Sequence, residues 1–74
     1  MAENLETYLT AVLFTLGGES GTSVDFGRGV LTGVISTLMA QGRTLQQAVA
    51  KVKKHLPEDW RLECIPSSWQ EDFK

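Results

Sequence analysis

The stretch from Phe26 to Gln41 constrains the fold more than any other, because a helix here would have almost no polar face for solvent. At about 100° per residue, large apolar side chains sweep more than half of its circumference: Phe26, Val30, Leu31, Val34, Ile35, Leu38 and Met39. The remaining side carries small residues, namely Gly29, Gly33, Ser36 and Ala40. Large side chains on one side and small ones on the other are typical of a helix packed on two faces.

The small side of this helix predicts close contact with another helix. Gly29 and Gly33 each cost roughly 1 kcal/mol relative to alanine within a helix, and close backbone approach is the simplest compensation. The neighbour is either the same helix of a second chain, or the first helix or the C-terminal tail of the same chain. We favour a homodimer, because 74 residues leave little material to cover both faces. Its predicted interface contains Gly29, Gly33, Ser36 and Ala40.

A first helix is predicted from Leu5 to Leu16, with Asn4 as its N-cap. Gly17 and Gly18 follow, and we expect one of them to end the helix in the left-handed conformation. Phe14 projects away from the apolar stripe of this helix, so that an isolated chain would leave its ring in water. We therefore add Phe14 to the predicted dimer interface.

Two capping patterns define the next helices. Thr22 and Asp25 have capping-box spacing, which predicts that the second helix begins near Ser23 or Val24 and runs to Gly42. The third helix has the clearest start, a capping box formed by Thr44 and Gln47. It carries one narrow apolar face and ends before Pro57. The short connection makes the second and third helices neighbours in space.

The segment after Pro57 changes character and is expected to lie across the helices as an extended tail. The segment 61–65 is compatible with a short strand, and Ser67 and Gln70 have the spacing of a final helical turn. Trp60 and Trp69 either fill gaps between the helices or anchor a partner. The sequence thus predicts one all-α domain over residues 1–74, a small three-helix bundle with an extended C-terminal tail.

Composition indicates a folded protein of a reducing compartment. With 42% hydrophobic and 22% charged residues, the chain is unlike a disordered one. Its single cysteine, Cys64, forms no internal disulfide, and the first residues carry acids where a secretory signal has basic residues. The longest mostly apolar stretch, Gly29 to Ala40, has 12 residues, against roughly 20 for a membrane span. We therefore expect a soluble cytoplasmic protein without a membrane association.

The residues that carry enzyme chemistry are sparse. His55 is the one histidine, and the sequence places neither a nucleophile nor a set of metal ligands beside it. Gly27, Gly29 and Gly33 do not have the spacing of a dinucleotide fingerprint, and no strand precedes them. We therefore expect a protein without catalytic residues, metal or cofactor.

Two functions remain open. The first is an interaction or regulatory protein that acts through a protein surface, as a homodimer and with another protein partner. The second is a DNA-binding regulator, because Arg43, Lys51 and Lys54 lie on or near a third helix that follows a short turn. The net charge of −2 and the acidic tail disfavour nucleic acid. We therefore rank the interaction protein first.

Overall fold

The computed structural model describes the backbone of residues 2–74 and the side chains of residues 5–74. This part of the chain is all-α, with four α-helices: α1 (Ala2–Leu13), α2 (Val24–Ala40), α3 (Leu45–His55) and α4 (Gln70–Phe73). Short 3₁₀ turns lie between them at Phe14–Leu16, Gly18–Ser20, Leu62–Cys64 and Ser67–Trp69. None of the described helices is long and apolar enough to cross a membrane.

The first helix differs from the prediction at both ends. It already includes Asn4, so the N-cap predicted there is wrong, and it gives way to a 3₁₀ turn after Leu13. Gly17 is extended, with φ −78° and ψ 149°, because it pairs with Trp60 in an isolated antiparallel bridge. The left-handed glycine of this connection is instead Gly21, at φ 79°. The extended conformation of Gly17 therefore goes with a contact to the tail, which the sequence cannot show.

The second and third helices begin where their caps predict. The Ser23 hydroxyl accepts a hydrogen bond from the Phe26 N–H at 3.0 Å, so Ser23 rather than Thr22 is the N-cap of α2. The capping box of Thr44 and Gln47 is confirmed, with both reciprocal hydrogen bonds present. Between the two helices Gly42 takes φ 98°, a conformation that glycine adopts without strain. Local hydrogen bonding therefore fixes these two helix starts.

One cluster of buried side chains joins all four helices and the segment before α4. It consists of Leu9, Leu13, Leu16, Leu31, Val34, Ile35, Leu38, Ala48, Val49, Val52, Cys64, Ile65 and Phe73. Trp60 and Trp69 are half-buried and pack against this cluster. The C-terminal segment thus supplies part of the core that α1, α2 and α3 share.

The strand considered over residues 61–65 is wrong. A 3₁₀ turn forms at Leu62–Cys64 instead, and it turns both Cys64 and Ile65 into the core. A strand would send these two neighbours to opposite faces. A final helical turn is present as α4, but the cap expected from Ser67 and Gln70 does not form, because Ser67 lies in a 3₁₀ turn and α4 begins without a side-chain cap. Phe73 anchors α4 with 3% of its surface exposed, so the described residues form four helices and not three.

Arg61 ties the tail to the connection between α1 and α2. Its guanidinium donates hydrogen bonds to the carbonyl oxygens of Leu16, Thr15 and Thr22 at 3.2, 2.9 and 3.1 Å. Its backbone N–H also donates to the Leu16 carbonyl at 2.9 Å. Hydrogen bonds from a charged donor are stronger than neutral ones. Arg61 therefore holds the tail against the connection between α1 and α2, a role that the sequence analysis missed.

Candidate functional site

The small residues predicted to form an interface lie on the side of α2 that points away from the core. Gly27, Leu31, Val34, Ile35 and Leu38 form the buried side of the helix. We call the opposite side the outward face; it consists of Phe26, Gly29, Val30, Gly33, Ser36, Thr37, Met39 and Ala40. All of these residues are exposed except Val30, which is half-buried.

The glycines of the outward face have open space in front of them. A methyl group added at Gly29 or at Gly33 would meet no atom of the described chain within 4 Å, apart from the local helix backbone. Within the described residues, neither α1 nor the tail packs against these two glycines. The intramolecular alternative considered for the small-residue stripe is therefore wrong for this part of the chain.

Two large apolar side chains border the glycines. Phe26 is 56% exposed and Met39 is 42% exposed, on opposite sides of the stripe. The sequence pattern grouped both with the buried side, because they belong to the same apolar sweep. They occupy its two edges, however, and that angular position is the signal that could have identified them as surface residues. The face therefore combines a stripe of small residues with two apolar edges.

The sequence has no charged residue between Gly29 and Ala40, so charged side chains occur only at the two ends of the outward face. At the N-terminal end, the Asp25 side chain is 92% exposed and lies 3.5 Å from the Arg28 guanidinium. Arg28 donates its closer hydrogen bond, 2.8 Å, to the Glu63 carbonyl. Beyond the C-terminal end, Arg43 donates to the Gln41 side-chain oxygen at 2.7 Å. The middle of the face thus lacks charge.

The aromatic residues predicted for the interface lie on other elements. Phe14 is 55% exposed in the turn that follows α1, in agreement with the direction expected from the sequence. Trp60 contacts Phe73, with ring centroids 6.4 Å apart, and Trp69 packs against the core. The two tryptophans therefore serve the packing of the tail.

The three basic residues considered for nucleic acid differ in their surroundings. The Lys51 ammonium lies 2.6 Å from a carboxylate oxygen of Glu6, and Arg43 is bound to Gln41. Lys54 is exposed. The neighbouring Lys53 lines a shallow groove together with Asp72, so an acid of the tail folds against α3. Such an acid would repel phosphate.

Lys51 belongs to a polar cluster between α1 and α3 that the sequence analysis did not identify. Glu6 contacts Lys51 through one oxygen and His55 through the other, with the His55 Nε2 at 2.7 Å. This second contact is not an aligned hydrogen bond. The His55 Nδ1 lies 3.2 Å from the Thr10 hydroxyl. The hydrogen bond from Lys51 lowers the pKa of Glu6 below its ordinary value of 4.5, and the positive charge of Lys51 adds to this effect.

A carboxylate, an imidazole and a hydroxyl in a row resemble the components of a proton relay. Thr10, however, lies inside α1, where the backbone N–H groups are used within the helix. The backbone N–H groups on either side of the hydroxyl are therefore occupied within α1. We interpret the cluster as a clasp that joins α1 to α3.

Among the described residues, no three His, Cys, Asp or Glu side chains are close enough together to hold a metal ion. Comparisons of the chain with protein families, curated proteins and solved structures found no match.

Proposed function

We propose that this protein is a non-catalytic interaction protein that acts as a homodimer through the outward face of α2. The observation that carries the proposal is a continuous helix face that is exposed, uncharged in its middle, and bordered by Phe26 and Met39. Contiguous apolar surface of this kind marks interaction sites in small proteins. The unpaired, buried Cys64 is compatible with action in the cytoplasm.

A second copy of the chain is the partner that this face suits. In a twofold dimer each copy presents the same surface, so any charge near the axis would meet its own kind. The outward face avoids this repulsion because its central residues are uncharged. Gly29 and Gly33 additionally allow the backbones of two helices to approach closely.

A partner of different sequence would have other surfaces to contact. Tyr8 on α1 and Phe14 in the following turn are each more than half exposed. Aromatic side chains of this kind are enriched where proteins bind one another. We propose that such a partner binds the dimer through these residues and leaves α2 to the second copy.

DNA binding through α3 is the less favoured alternative. Lys51 is paired with Glu6, and Asp72 lies beside Lys53. Neutralising phosphates requires several free cations on one surface. Any binding should therefore be weak and should disappear as salt is added.

The substitution Gly33→Lys tests the dimer. We expect native protein to scatter light with twice the mass of one 8.2 kDa chain and the variant to scatter as a single chain, because two lysines would meet at the interface. The helical circular dichroism should persist, since the new side chain has open space within one chain. Thr7→Lys, at an exposed position of α1, is the matched control and should keep the native mass. A native protein that is monomeric at high micromolar concentration would contradict the proposal.

A further inference from the structure

The charged residues at the two ends of the outward face are different. Asp25, almost fully exposed, lies at the N-terminal end, where it forms a long ion pair of 3.5 Å with Arg28, and Arg28 also donates a hydrogen bond of 2.8 Å to the Glu63 carbonyl. Arg43 lies just beyond the C-terminal end. If two α2 helices pack in the same direction, Asp25 of each copy lies beside Asp25 of the other. If they pack in opposite directions, each Asp25 end meets the Arg43 end of the second copy, which is the complementary arrangement.

The helix dipoles favour the same choice. The N-terminal end of a helix carries partial positive charge and the C-terminal end partial negative charge. Two antiparallel α2 helices place these opposite ends together, whereas two parallel helices place like ends together. Taken alone, the helix dipoles therefore also favour the antiparallel direction.

The spacing of the small residues also fits a reversed partner. Gly29, Gly33, Ser36 and Ala40 are separated by four, three and four positions, and this pattern reads the same from either end. In an antiparallel pair Gly29 therefore faces the second copy's Ala40, and Gly33 faces its Ser36.

From these observations we infer that two copies of the chain pack with their α2 helices antiparallel, with Gly29 opposite Ala40 and the Asp25 end of one copy beside the Arg43 end of the other. This arrangement rests on the proposed homodimer and specifies its geometry. The contact is isologous and closes with two copies.

Oxidation of two cysteine variants, Gly29→Cys and Ala40→Cys, tests the arrangement. A disulfide requires Cα atoms within roughly 7 Å. In the antiparallel dimer, position 29 of one copy and position 29 of the other are separated by about 16 Å along the helix axes, at a rise of about 1.5 Å per residue. The same separation applies to the two positions 40. Either variant alone should then give no covalent dimer, whereas a mixture of the two should give a disulfide-linked heterodimer, recognised by an affinity tag on one of them. Native protein is the control, because its Cys64 is fully buried.

The possible outcomes separate the arrangement from the proposed function. Covalent dimers from each variant alone would show parallel packing and overturn the inference, while the dimer itself would stand. A dimeric mass without any cross-link would show that the copies meet through another surface. A single-chain mass for native protein would overturn both, and would leave the outward face to a partner of different sequence.

Discussion

Gly27 and Gly33 occupy the same helix but have opposite surroundings. A methyl group added at Gly27 would lie 2.7 Å from the Cys64 sulfur, whereas one added at Gly33 would meet nothing within 4 Å. Gly27 is therefore required by packing inside the chain, because the segment after α3 passes against the inner side of α2. Gly33 has no such reason within the described residues. A glycine thus allows tight packing on one side of α2, and a glycine on the other side has no neighbour in the described chain.

The side of α2 that faces the core and the outward face also differ in the hydrogen bonds that surround them. On the inner side, the Thr15 carbonyl accepts hydrogen bonds from Arg61, Ser20 and Thr22. The Asp59 carboxylate accepts from the Glu19 N–H at 2.9 Å, and the Asp59 carbonyl from the Gly18 N–H at 3.1 Å. The outward face has no comparable network. The chain closes the inner side with its own tail and leaves the outer side available for another molecule.

Breaking the contacts of Arg61 should have the largest effect. We expect Arg61→Met to lower the free energy of unfolding by about 2–3 kcal/mol, because hydrogen bonds to a charged group contribute roughly 1.5–3 kcal/mol. Chemical denaturation measures the change. Lys54→Met, at an exposed lysine of α3, is the control and should change the value by less than about 0.5 kcal/mol. A loss that small for Arg61→Met would show that the tail is held without it.

The two glycines should respond in opposite directions to the same substitution. Gly27→Ala should lower the free energy of unfolding by about 1–3 kcal/mol through overpacking against Cys64. Gly33→Ala should raise it by up to about 1 kcal/mol, because alanine favours the helix and meets no atom. Denaturation of both variants at a concentration where light scattering shows single chains measures the difference.

A double-mutant cycle identifies the cause of the Gly27 effect. If the Cys64 sulfur is responsible, Gly27→Ala combined with Cys64→Ala should cost less than the sum of the two single substitutions. Additive losses would place the strain elsewhere, for example at the Thr15 carbonyl, which lies 3.4 Å from the added methyl group.

The smallest expected effect concerns Glu6, on the clasp between α1 and α3. The hydrogen bond and charge of Lys51 keep the pKa of Glu6 below 4.5 in the folded chain. This stabilisation is therefore present at neutral pH and is lost as the pH falls through the lowered pKa. Glu6→Gln should weaken the fall of stability between neutral and acidic pH, measured by denaturation at several pH values. Glu58→Gln, an exposed acid after α3, is the control, and equal pH profiles for the two variants would contradict a role for the clasp.

The sequence alone determined the features that depend on neighbouring residues. The capping box at Thr44 predicted the start of α3, and Ser23 or Val24 was correctly predicted for the start of α2, because caps act within a few residues. The periodicity of apolar residues predicted an all-α fold and the burial of Leu31, Val34, Ile35 and Leu38 on α2, although it wrongly grouped the exposed Phe26 and Met39 with them and did not identify Gly27. It also placed Gly29, Gly33, Ser36 and Ala40 together on one side of that helix.

The tertiary structure decided what contacts that side and how the tail packs. Periodicity gives the direction of a side chain but not the neighbour it meets, so whether the space at Gly33 was filled or open depended on where the tail lies. Arg61 holds the tail on that path through hydrogen bonds to Leu16, Thr15 and Thr22, which join residues 39 to 46 positions apart. Contacts over such separations leave no local pattern in the sequence, and neither does the pairing of Glu6 with Lys51 and His55.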